Sequence, residues 1–114
     1  MKFIISENKF NTLIENFIDN YIRTTYDRTQ FDNFIVYSAG ETEFGFDDVK
    51  IEFDSEDGRL YLDKDFVMTI MNLFGLTPLE SQIKIHEWFK DYEGISANYV
   101  DTPGIGVYEF DESK

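Results

Sequence analysis

Residues 49–62, "VKIEFDSEDGRLYL", decide how the fold is read. Val49, Ile51 and Phe53 alternate with Lys50 and Glu52, and after DSEDG, Leu60 and Leu62 alternate with Arg59 and Tyr61. A period of two sends successive side chains to opposite faces of a strand, so both arms predict strands with one buried face and one wet face. Asp, Ser and Gly between them favour a tight turn, and Gly58 can take the positive φ of a bulge-type hairpin turn. The stretch therefore predicts an antiparallel β-hairpin.

The same residues place four acids, Glu52, Asp54, Glu56 and Asp57, within six positions, so a calcium loop has to be weighed. An EF-hand loop needs Gly at its sixth position and a bidentate Glu at its twelfth, between two helices. Counted from Asp54, Gly58 falls at the fifth position and Asp65 at the twelfth, and the flanks are strand-like. The pattern does not match.

Upstream, Phe10, Leu13, Ile14, Phe17, Ile18, Tyr21 and Ile22 recur at steps of three and four, one apolar stripe that predicts a helix over about 7–23. The polar TTYDRTQ ends it; ahead of it, Met1 to Ile5 reads as a short strand or extended lead-in and Ser6 as an N-cap. Phe34 to Ser38 (FIVYS) is β-branched and aromatic and predicts a strand, whereas ETEFGFDD, 41–48, reads as a short strand or a loop. Downstream, Asp63 can cap a second helix, 66–74, which Gly75 stops. Thr77-Pro78-Leu79-Glu80 then supplies a cap, a first-turn Pro and a capping-box Glu. A third helix follows over about 78–92, with Ile85, Trp88, Phe89 and Tyr92 inward and Gly94 at its end. Pro103-Gly104 suits a type II turn, and Val107 to Phe110 reads as a last strand before a charged tail. This order predicts a single acidic α+β domain over 1–114, a small antiparallel sheet with about three helices packed on one face.

Composition narrows the function classes. Twelve Phe, seven Tyr and one Trp in 114 residues argue for one folded core and against disorder. With no cysteine, disulfides, thiolate zinc sites and cysteine nucleophiles are excluded. The net charge of −13 opposes direct binding to nucleic acid or anionic lipid and favours attraction to basic protein surfaces. That charge is concentrated: residues 41–65 hold ten acids against three bases, whereas residues 1–40 hold five against four. The apolar run at Phe3 to Ile5 is too short for a signal-peptide core, and no stretch is long enough to span a bilayer. The expected location is the cytoplasm (a host's, if the chain is viral) or the inside of a virion.

Catalytic patterns are missing. His86, the only histidine, lies in HEWFK, which lacks the second His of a zinc-protease helix. Ser38, Ser55, Ser81 and Ser96 sit in no GxSxG context, Gly104-Ile105-Gly106 is only a fragment of a dinucleotide fingerprint, and there is no P-loop. Carboxylate pairs are so abundant that no one pair stands out. The sequence predicts a non-enzyme with no catalytic residue, no cofactor and no metal site.

What remains is the acidic ridge. Asp47, Asp48, Glu52, Asp54, Glu56 and Asp57, joined by Glu41 and Glu43, are the candidate partner-binding residues, with Tyr37, Tyr61 or Tyr99 as an aromatic rim. The competing reading is a solvated face, the usual fate of a charge run.

MKFIISENKFNTLIENFI at the start, and IKIHEWFKDYEGI later, resemble segments of small uncharacterised bacteriophage-encoded acidic proteins. The resemblance covers about a third of the chain, implies a viral origin, and transfers no functional residue. Together these readings lead to an acidic protein-binding module that occludes a basic surface of a target such as a nucleic-acid-binding protein, as a nucleic-acid mimic or immunity-like protein would. The alternative is a virion structural or assembly accessory. The oligomeric state is left open.

Overall fold

The computed structural model describes residues 7–110. The predicted lead-in strand, the Ser6 cap and the charged tail lie outside the described residues.

The chain opens with helix α1, Glu7–Thr25, which buries Ile14, Ile18 and Ile22 completely. Leu13, placed on the apolar stripe by its spacing, is 52% exposed at the stripe's edge. Two antiparallel strands follow, β1 (Asp27–Phe31) and β2 (Phe34–Ser38). β1 is a correction: its residues, DRTQF, carry no apolar alternation, and they form a strand because they pair along β2 at the sheet edge. A small hairpin comes next, β3 (Gly40–Thr42) and β4 (Gly45–Asp47), so ETEFGFDD is neither a lone strand nor a loop.

The hairpin of 49–62 forms as read, with β5 (Ile51–Asp54) antiparallel to β6 (Arg59–Leu62). Gly58 closes its turn with φ of 69°. Ile51, Phe53, Leu60 and Leu62 are buried on one face. Helix α2 (Lys64–Phe74) starts on Asp63, whose carboxylate accepts from the Phe66 N–H, and ends at Gly75 in the left-handed region. Helix α3 (Pro78–Glu93) carries the full capping box, Thr77 and Glu80 exchanging hydrogen bonds of 3.1 and 2.9 Å. Ile85, Trp88 and Phe89 point inward; Tyr92 does not, being 43% exposed and stacked on Trp88 from outside. The chain finishes with β7 (Tyr99–Thr102) and β8 (Gly106–Glu109), joined by the Pro103-Gly104 turn, in which the Ile105 N–H donates to the Thr102 carbonyl at 2.9 Å.

The main sheet has six strands in the order β1-β2-β5-β6-β7-β8. The architecture is α+β. The sheet is larger than the sequence suggests, and it is not wholly antiparallel: β6 and β7 run parallel. Parallel neighbours need a long crossover, and α2 and α3 supply it. All three helices contribute to one core against one face of the sheet.

Candidate functional site

Register shows what the other face carries. Glu52 pairs with Tyr61 and Tyr61 with Asp101, while Asp54 pairs with Arg59 and Arg59 with Tyr99. These six residues alternate with the buried Phe53, Leu60 and Val100, so they lie on the face turned away from the helices, and all six are partly exposed. Of the three tyrosines read as an aromatic rim, Tyr61 and Tyr99 belong to this face. Tyr37 is corrected: it is 1% exposed, on the helix side, edge-on to Trp88.

The small hairpin folds over the same side. Phe46 on β4 stacks on Phe31, which stacks on Phe34, with ring centroids 5.6 and 5.5 Å apart. Phe31 and Phe34 share the face of Val36, which is fully buried although no helix lies on that side. The hairpin tip then projects Phe44, 95% exposed, between the exposed Glu43 and Gly45.

The predicted acidic ridge is therefore split. Glu41, Glu43 and Asp47 are exposed on the fold-back hairpin, Glu52 and Asp54 lie half-buried on the sheet face, and Glu56 and Asp57 are exposed in the β5–β6 turn. Two of the eight candidates hold structure rather than await a partner. Asp48, in the left-handed region at φ of 48°, pairs with Lys50 at 3.0 Å. Asp54 accepts from Asn33 Nδ2 at 2.7 Å and from the Glu56 N–H at 3.0 Å, locking one turn onto the next. The other six, Glu41, Glu43, Asp47, Glu52, Glu56 and Asp57, have no cation within salt-bridge distance among the described residues.

Two of the three bases within 41–65, Lys50 and Arg59, are already used. Lys50, expected on the wet face, is 7% exposed: Asp48 and Asp63 bind its ammonium and the Tyr26 ring lies 5.8 Å away. Burial would lower its pKa, but the two carboxylates outweigh that and hold it above the ordinary lysine value. Burial and the Tyr21 hydroxyl push Tyr26 up to about 12. Arg59 donates from Nε and Nη2 to Asp101 at 3.0 and 2.8 Å. Burial, with Asp63 and Glu52 nearby, raises the Tyr61 pKa, keeping it a neutral phenol.

A second polar cluster was not legible in the sequence. Glu93, at the end of α3, accepts bidentately from Arg28 Nε and Nη2 at 2.7 and 2.8 Å and also accepts from the Tyr37 hydroxyl. Burial would raise the Glu93 pKa, but the Arg28 and Tyr37 hydrogen bonds win and lower it. Its members lie 65 and 56 positions from Glu93, which no short-range pattern could reveal. His86 is buried, and its Nε2 accepts the Ala97 N–H at 3.0 Å while its ring packs on Phe110. That assigns it to holding the α3–β7 connection.

Among the described residues, no three His, Asp or Glu side chains converge as metal ligands. No helix there is long and apolar enough to cross a membrane. No known protein family, curated protein or solved structure matches the chain.

Proposed function

We propose that the protein is a non-enzymatic acidic binding module that docks on a basic surface of another protein and excludes an anionic ligand from it, as a nucleic-acid mimic or immunity-like protein does. One observation carries this reading: six carboxylates between Glu41 and Asp57, five exposed and Glu52 partly so, have no cation within salt-bridge distance among the described residues, while the nearby Lys50 and Arg59 are consumed internally. A merely solvated surface mixes both signs of charge; a surface of one sign steers encounter with its opposite. A phage-encoded inhibitor acting in the host cytoplasm would have this character.

The test is affinity capture from a host lysate with wild-type protein and with a Glu41→Lys/Glu43→Lys/Asp47→Lys variant, eluted across a salt gradient. All three positions are exposed, so the variant should fold. The expected result is one basic protein, released at moderate salt and lost from the variant. Particle proteins retained through high salt by both proteins would instead identify a virion accessory.

A further inference from the structure

The face of β5–β8 turned away from the helices has an order that net charge does not describe. Two rows cross four strands: Glu52, Tyr61, Asp101, Val107 in one, and Asp54, Arg59, Tyr99, Glu109 in the other. Neighbours within a row stand about 4.8 Å apart, the strand spacing. Each tyrosine thus has a carboxylate beside it within reach of one planar group.

Arg59 shows what such a pairing accepts. Its guanidinium bonds Asp101 through Nε and Nη2, and its Cζ lies 5.6 Å from the centre of the Tyr61 ring. A guanidinium satisfies both partners because it is planar, presents a fork of donors, and stays weakly hydrated over an aromatic surface. A lysine ammonium can meet the carboxylate but cannot lie flat on the ring. The same pairing recurs twice with no cation within salt-bridge distance of its carboxylate among the described residues, at Glu52 beside Tyr61, whose ring Arg59 also approaches, and at Glu109 beside Tyr99. Four carboxylates against one arginine leave the rows negative.

We propose that this face binds arginine side chains of a protein partner and prefers them to lysine, seating one guanidinium at Glu52–Tyr61 and another at Glu109–Tyr99. The inference rests on the protein-binding reading above and adds to it the residue type that the partner must present.

The test titrates the isotope-labelled full chain with an arginine nonapeptide and a lysine nonapeptide of equal charge, followed by NMR at low salt. The arginine peptide should bind about fivefold tighter and shift the amides of Glu52, Tyr61, Tyr99 and Glu109. In Tyr61→Leu/Tyr99→Leu the preference should fall to near unity, the spectrum itself reporting whether the variant is folded. Glu52→Gln/Glu109→Gln, which keeps both rings, should weaken the arginine peptide and serves if the leucine variant does not fold. Equal affinity for the two peptides, or shifts confined to residues 41–48, would overturn the inference and leave acidic docking standing. No binding of either peptide at low salt would overturn both.

Discussion

Gly58 is the residue on which the β5–β6 turn depends. Its φ of 69° lies where side chains with a Cβ are strained, and a Cβ there would stand 2.3 Å from Asn98 Nδ2. Its carbonyl accepts from the Asn98 and Tyr99 N–H groups, so the turn also anchors the start of β7. Gly58→Ala should cost about 1–3 kcal/mol in urea unfolding followed by Trp88 fluorescence. Glu93 carries the clearest pH signature. Because its folded pKa is depressed below the ordinary value of 4.5, its contribution is present above that value and lost as pH falls through the folded value. Wild type should therefore exceed Glu93→Gln in stability at neutral pH, with the gap closing as pH falls below the ordinary value of 4.5 and through the depressed folded value. Parallel acid titrations by circular dichroism check it, and a constant gap would refute the assignment.

At the scale of elements, the β3–β4 hairpin separates two phenylalanines that sequence cannot tell apart. Phe44 is 95% exposed at the tip, so Phe44→Ala should change stability by less than about 0.5 kcal/mol. Phe46 stacks on Phe31 and seats the hairpin on the sheet, so Phe46→Ala should cost about 1 kcal/mol or more. Thermal unfolding of the two variants beside wild type distinguishes them. The other elements differ in how readily they were read. The caps of α2 and α3 were visible because capping is local chemistry within four residues. β1 was hidden because an edge strand of mainly polar residues has no buried face of its own to impose a period, and Arg28 gains its role only through Glu93 on another element. Tyr92 and Leu13 were placed inward because spacing locates a stripe but not its margins.

For the whole molecule, the net charge of −13 makes the compact state repel itself. Screening shortens to about 8 Å at physiological ionic strength, so the melting temperature should rise between low salt and about 0.15 M sodium chloride. A melting temperature that falls over that range would mean that attractive pairs such as Arg28–Glu93 outweigh the repulsion. The sequence by itself determined what is local: three helices, the 49–62 hairpin, the turn glycines and the concentration of acid in residues 41–65. These follow from periodicity, capping and composition, which act over a few residues. Only the tertiary structure decided which acids are spent and which are displayed. Lys50 is buried by residues from three separate segments, and the alternation that marked it as wet could not register Tyr26 or Asp63 closing over it. The tyrosine and carboxylate rows likewise exist only once β6 meets β7, a parallel pairing between residues some 40 positions apart, set by helices packing on the opposite face.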